Sequence, residues 1–177
     1  MKFAELQLEQ SLQSAIDKLG YQEATPIQAS VIPHVIEGRD ISGLAPTGTG
    51  KTAAFLIPMM DRILKGRVQA ENMSPEQVEF LQKRSFPDWR AQNFILILVP
   101  TRELCEQVQE NALKLSEFSG LRSIAVYGGT GYDKQKEAFK NQVEFVVATP
   151  GRFIDLYKEN FVDLKQVRAV IFDEADR

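Results

Sequence analysis

A chain of 177 residues, 44% of them hydrophobic, is long enough to bury one sizeable core and too short for two full domains. Its 21 basic and 24 acidic side chains leave a net charge of −3, which excludes a generally basic coat for nucleic acid, so any nucleic acid has to be held locally. A single cysteine, Cys105, and one histidine exclude a disulfide framework and a cysteine-rich zinc site and fit a reducing compartment.

The opening residues, Met1-Lys2-Phe3-Ala4-Glu5-Leu6-Gln7, place an acid and a glutamine where an export signal needs an unbroken apolar stretch. The longest plain apolar run, Phe94 to Val99, is far short of the roughly 20 residues that span a bilayer. A soluble, cytoplasmic protein is expected.

Leu8, Leu12, Ile16 and Leu19 recur at helical spacing and stop at Gly20, which predicts an amphipathic helix closed by a glycine. Thr25-Pro26 predicts the start of a second helix, with threonine as cap and proline in the first turn, running to about Glu37. Asp40 to Ala45 is expected to be a short strand entering a glycine loop, and Lys51 to Leu64 the helix leaving it. Beyond Asn93, apolar β-rich runs alternate with helical patterns: Phe94–Val99 and Arg102–Phe118, Ser123–Tyr127 and Asp133–Lys140, Glu144–Ala148 and Arg152–Glu159, then Val167–Asp173. Such alternation predicts βαβ units and an α/β fold with a mostly parallel, five-stranded sheet flanked by helices. Gly66 to Asn93 interrupts the pattern and is expected to be an insertion, with a short helix after the Ser74-Pro75-Glu76-Gln77 capping box and Trp89 packing it down.

Two motifs carry chemistry. In Ala45-Pro46-Thr47-Gly48-Thr49-Gly50-Lys51-Thr52, the glycines let backbone N–H groups turn toward phosphate oxygens and the next helix adds its positive end. Lys51 is placed to bridge the β- and γ-phosphates and Thr52 to offer its hydroxyl to Mg²⁺. The usual first glycine is replaced by Ala45. At the other end, Val170-Ile171-Phe172 runs into Asp173-Glu174, two carboxylates at the tip of a buried strand. Beside MgATP, Asp173 suits water-mediated binding of the metal and Glu174 suits orienting and deprotonating the attacking water.

The order of these motifs resembles the DEAD-box ATP-dependent RNA helicases, whose name spells Asp173-Glu174-Ala175-Asp176. The matching sequence runs from Gly20-Tyr21 through Thr25-Pro26-Ile27-Gln28, Ala45–Thr52, Pro100-Thr101-Arg102-Glu103-Leu104, Gly128-Gly129 and Thr149-Pro150-Gly151-Arg152 to the acidic box. The family's own phosphate loop usually starts with alanine. The resemblance implies a RecA-like P-loop domain over 1–177 that is C-terminally incomplete, with the second RecA-like domain absent. It implies that Gln28 reads adenine, with Phe3 and Tyr21 packing around the base, and that Asp176 couples nucleotide state to RNA. Thr25-Pro26-Ile27-Gln28 is equally a capping box, and both roles can hold together. By the same resemblance Pro100, Thr101, Arg102, Gly128, Gly129, Thr149, Pro150, Gly151 and Arg152 hold one RNA strand by its backbone, with little sequence preference. Alone, each of these three segments also reads as a helix cap. The function expected is ATP hydrolysis coupled to local RNA unwinding in the intact protein, with weak activity from this chain alone. A non-processive RNA clamp and a DNA helicase of the wider superfamily stay open.

Overall fold

The computed structural model describes residues 1–68, 73–129 and 131–175. They fall into two compact units: residues 1–89 with 114–120, and residues 90–113 with 121–177.

The first unit is helical. A 3-10 turn, Phe3–Leu6, leads to α1 (Gln10–Lys18), α2 (Pro26–Ile36), α3 (Lys51–Gly66) and α4 (Pro75–Arg84). Helix α1 ends as its sequence predicts. Gly20 takes φ +75°, the Gly20 N–H bonds the Asp17 carbonyl and the Tyr21 N–H bonds the Ile16 carbonyl. That paired closure fixes the direction in which Tyr21 leaves the helix. The capping box at Thr25 is formed in full and Pro26 sits at its start; the one at Ser74 is likewise complete. Helices α2 and α3 pack against each other, burying Ile32, Val35, Leu56, Ile57 and Met60.

No strand forms at Asp40–Ala45 among the described residues, which corrects the expectation of a fifth strand. Ile41 and Leu44 are three apart, so a period of two puts them on opposite faces. Ser42 and Gly43 between them add nothing to a pleated surface. The segment runs exposed instead, with Leu44 96% accessible.

The second unit contains β1 (Phe94–Leu98), α5 (Arg102–Leu115, its last two residues in the first unit), β2 (Ser123–Val126), α6 (Tyr132–Lys140), β3 (Phe145–Ala148), α7 (Pro150–Lys158), a 3-10 turn at Leu164–Gln166 and β4 (Val167–Phe172). The strands make one parallel sheet in the order β2-β3-β1-β4. The fold class is therefore α/β with a parallel sheet of four strands. Phe145, Val146, Val147 and Ala148 are fully buried, as a strand inside a parallel sheet requires. Leu96, Val126 and Val146 join Phe153 and Leu156 of α7 in one apolar cluster.

Register decides where the functional segments emerge. Leu98 pairs with both Ala148 and Phe172, and Ala148 pairs with Val126. The next residues continue the ladder: the N–H groups of Val99, Thr149 and Asp173 donate to Ala148, Val126 and Leu98. Pro100-Thr101, Gly128-Gly129, Thr149-Pro150 and Asp173-Glu174 thus all leave the sheet at its carboxyl edge, where open parallel sheets carry their chemistry.

Asp176, the expected coupling residue, and residues 69–72 of the expected insertion lie outside the described residues. Among the described residues, no helix is long and apolar enough to cross a membrane.

Candidate functional sites

In the first unit, Phe3, Gly20, Tyr21, Gln22, Glu23, Thr25, Gln28, Gly48 and Gly50 line one open cleft of ≈ 530 Å³. The 3-10 turn brings Phe3 there, held by a bond from its N–H to the Gln22 carbonyl. Its ring is buried, 6.0 Å from the half-exposed ring of Tyr21 and tilted by 34°. An aromatic floor of this kind offers a flat, apolar face with a wet rim.

Gln28 stands where this floor meets the glycine loop. Its Oε1 accepts from the Thr25 N–H at 3.0 Å, and its Nε2 donates to the Gly50 carbonyl at 3.2 Å. The capping role is thus real, and the same amide also touches the phosphate loop. A side-chain amide has two lone pairs and two hydrogens; these two bonds use one of each.

The loop is built for close approach. Gly48 and Gly50 adopt φ +79° and +89°, a left-handed conformation that costs side-chain-bearing residues about 1–2 kcal/mol. Gly50 caps α3, so the first N–H groups of that helix lie beside the loop. Thr49 Oγ1 donates to the Pro46 carbonyl at 2.7 Å, which pins the turn through Pro46 and Thr47. Lys51 Nζ donates to the Ala45 carbonyl at 2.8 Å, closing the loop onto its own start. Lys51 and Thr52 lie on the first turn of α3 and not on the cleft lining.

In the second unit, Thr101 caps α5 by accepting from the Leu104 N–H at 3.3 Å. Thr149 precedes Pro150 at the start of α7 and its side chain makes no capping bond. Gly128-Gly129 lies between two arginines: a methyl added at Gly129 would sit 3.5 Å from Arg102 Nη1, and one at Gly128 4.0 Å from Arg152 Nη2. The Arg102 guanidinium rides over the Tyr127 ring at 5.6 Å and that of Arg152 over Tyr132 at 4.6 Å. Cation–π seats hold an arginine in place without neutralising it. Donation to Glu106 raises the Tyr127 phenol above its usual range, and donation to Glu159 does the same for Tyr132, so both rings stay neutral. The buried Gln135 ties the group together, donating to the Tyr127 carbonyl at 3.1 Å and accepting from Arg152 Nη1 at 3.4 Å.

At the end of β4, Asp173 carries the ladder one residue further and Glu174 turns at φ +54°. A non-glycine residue in the left-handed region is uncommon and is held there by its surroundings.

The motifs do not name Tyr127, Tyr132 and Gln135. Tyr132 and Gln135, three apart on α6, are the only hint in the sequence that this helix faces the arginines.

Comparison with known proteins bears on the family to which the chain belongs. Residues 25–177 match the family described as DEAD/DEAH box helicase. An ATP-dependent RNA helicase RhlB of Idiomarina loihiensis is 42% identical over 176 residues, covering 99% of this chain and 37% of the relative. An ATP-dependent RNA helicase SrmB of Escherichia coli is 40% identical over 175 residues, covering 99% of this chain and 35% of the relative. This chain therefore spans little more than a third of the length of these relatives. A crystal structure described as that of a hypothetical ATP-dependent RNA helicase from Sulfolobus tokodaii superimposes with a TM-score of 0.74 at 30% identity, over 96% of this chain and 42% of the other.

Proposed function

The chain belongs to the DEAD/DEAH box helicase family, and from that premise we propose that it is the nucleotide- and RNA-binding part of a cytoplasmic, ATP-dependent RNA helicase with a RecA-like P-loop domain. The observation that carries this reading is the double engagement of Gln28 with Thr25 and Gly50, on a cleft that also holds Phe3 and Tyr21.

Gln28 reads the base. The lone pair and hydrogen left on its amide match the N6 donor and N7 acceptor of adenine, whereas guanine presents two acceptors, O6 and N7, on that edge. Phe3 and Tyr21 pack around the ring. Pro46, Thr47, Gly48, Thr49 and Gly50 cradle the phosphates with backbone N–H groups and the end of α3. Lys51 exchanges the Ala45 carbonyl for β- and γ-phosphate oxygens, which gives it a charge-assisted bond in place of a neutral one.

The hard oxygen donors of Thr52 and Asp173 fit a hard cation. Thr52, through its hydroxyl, and Asp173, through water, would be the residues to hold Mg²⁺, which would supply positive charge against the terminal phosphates. Glu174 orients the attacking water and takes its proton. Asp176 relays nucleotide state to RNA.

RNA is gripped at three turns of the second unit. Thr101 and Thr149 with their helix starts at Pro100-Thr101 and Pro150-Gly151, the Gly128-Gly129 backbone, and the charges of Arg102 and Arg152 meet successive phosphates of one strand. Recognition through phosphate gives little sequence preference and strong salt dependence. Arginine fingers from a second RecA-like domain are worth about 10³–10⁵ in rate, so strand separation belongs to the intact protein and this chain alone turns over ATP slowly.

Titration of fluorescent ATP and GTP against this chain, with Gln28→Ala and Lys51→Ala beside it, tests the reading. Binding of ATP but not GTP, weakened by both substitutions, is expected. Equal affinity for the two nucleotides, or indifference to Gln28→Ala, removes the adenine assignment.

A further inference from the structure

Helix α4 belongs to the segment with no place in the motif order, yet its last residue bonds the end of the 3-10 turn that brings Phe3 to the proposed nucleotide cleft. Arg84 Nη2 donates to the Leu6 carbonyl at 2.8 Å. Beside it, Lys65 Nζ donates to the Gln7 carbonyl at 2.8 Å and to Asp61 at 2.7 and 2.5 Å. Asp61 Oδ1 accepts from the Glu9 N–H at 2.8 Å, and Arg84 lies 3.6 Å from Asp61 Oδ2. Three charged side chains thus hold three backbone groups within four residues, and the ring of Phe80, on α4, lies 5.6 Å from Lys65 Nζ and 4.9 Å from the Arg84 guanidinium.

The segment so held is a bend that does not form cheaply. Gln7 has φ +52°, a conformation a non-glycine residue keeps only where its surroundings impose it. On one side of the bend is α1; on the other is the 3-10 turn Phe3–Leu6, whose Phe3 lines the cleft against Tyr21. The bend, together with the bond from the Phe3 N–H to the Gln22 carbonyl, therefore sets where the buried Phe3 ring backs Tyr21 in the cleft.

We propose that Arg84 is a positioning residue for nucleotide affinity: through the Leu6 carbonyl it fixes the turn that seats Phe3, and it thereby makes α4 a point from which adenine binding is tuned. The proposal rests on the assignment of this cleft to ATP. Arg84 touches neither base nor phosphate. Its bond to Leu6 acts through the aromatic floor, so it bears on ligands that carry a base and not on phosphate chains.

The test compares ATP with inorganic tripolyphosphate, by competition against a fluorescent nucleotide, in the wild-type chain and in Arg84→Met, Arg84→Lys and Lys51→Ala. Arg84→Met is expected to weaken ATP about five- to tenfold, the worth of one well-seated aromatic contact, and to leave tripolyphosphate unchanged. Arg84→Lys, which keeps one donor, restores most of the ATP affinity. Lys51→Ala weakens both ligands. Equal losses for ATP and tripolyphosphate in Arg84→Met, or no loss for either, overturn the proposal while leaving the ATP assignment standing. A wild-type chain that binds no adenine nucleotide removes the assignment and the proposal with it. Should Arg84→Met fail to fold, amide hydrogen exchange on the wild type decides. Reciprocity requires that ATP slow exchange at residues 3–7 and 75–84 together and that tripolyphosphate slow neither; ATP protection that stops short of α4 overturns the proposal.

Discussion

The Gln28 amide nitrogen lies 3.2 Å from the Gly50 carbonyl, and a methyl group at Gly50 would come within 2.4 Å of that nitrogen. The amide proposed to read the base and the loop proposed to bind phosphate therefore share one contact, and glycine is the residue that permits it.

Gly50→Ala is accordingly expected to act twice, by forcing a side chain into φ +89° and by displacing Gln28. Gly48→Ala has a similar φ, +79°, but meets nothing within 4 Å. Both variants should lose about 1–2 kcal/mol of stability in denaturant titration from backbone strain. Only Gly50→Ala should also erase discrimination between ATP and GTP.

Asp61 and Lys65 form a buried pair, 0% and 5% accessible. Burial raises the Asp61 carboxyl above its usual range against the pull of Lys65, and burial likewise lowers Lys65. Lys65→Met leaves Asp61 with Arg84 as its nearest counter-charge and should cost about 3–5 kcal/mol. The sign of its pH dependence follows from the loss of that pull, which leaves the Asp61 carboxyl raised further in the variant than in the wild type. A native state that holds its proton more tightly than the unfolded chain has full benefit below the unfolded value of 3.8 and loses it as pH rises through the native one. The deficit of Lys65→Met relative to wild type should therefore shrink from pH 8 toward pH 4, as measured by urea unfolding; a deficit that is flat or grows toward acid contradicts this.

Much of this layout is legible in the sequence, because the helix starts are written in local chemistry. Thr25-Pro26 and Ser74-Pro75 cap as their side chains dictate, and Gly20 closes α1. The buried runs at 94–98 and 145–148 declare parallel strands by continuous apolar character. Asp40–Ala45 misled because a glycine loop preceding a helix invites a strand before it, whereas Ile41 and Leu44 lack the period. The Asp61–Lys65 pair looks in sequence like an ordinary i,i+4 surface pair. Its burial depends on the opening residues and on α4, which are distant in the chain, so no local pattern reveals it. The seating of Arg102 and Arg152 on tyrosines is hidden for the same reason.

Cys105 is fully buried, with its Sγ 2.9 Å from the Val147 carbonyl. Burial pushes its thiol up to about 11, from 9.0 when unburied. The thiolate being the nucleophile, Cys105 should react with a disulfide reagent at pH 8 only as fast as the chain unfolds, and at once in guanidinium. A thiol whose native value is raised stabilises fully below pH 9 and loses that contribution as pH climbs to 11. Cys105→Ser, in turn, should flatten the alkaline fall of the melting temperature.

Arg102 and Arg152 flank Gly128-Gly129, each seated over a tyrosine ring, and the proposed RNA grip gives each of them a phosphate to meet. Replacing either with alanine should weaken single-stranded RNA equally across sequences and lower the slope of log affinity against log salt by about 0.7. Filter binding to polyuridine and to a mixed-sequence strand at several salt concentrations checks this. Sequence-dependent losses would point to base contacts instead.

The most direct measurement is photo-crosslinking of an azido-adenine nucleotide to this chain with Mg²⁺, followed by mapping of the labelled peptide. If the cleft holds ATP as proposed, label falls on the segments containing Phe3 and Tyr21, is removed by excess ATP, is retained in excess GTP and is strongly reduced in Gln28→Ala. Label confined to other segments, or displaced as readily by GTP as by ATP, would contradict the assignment of Gln28 and its aromatic floor to adenine.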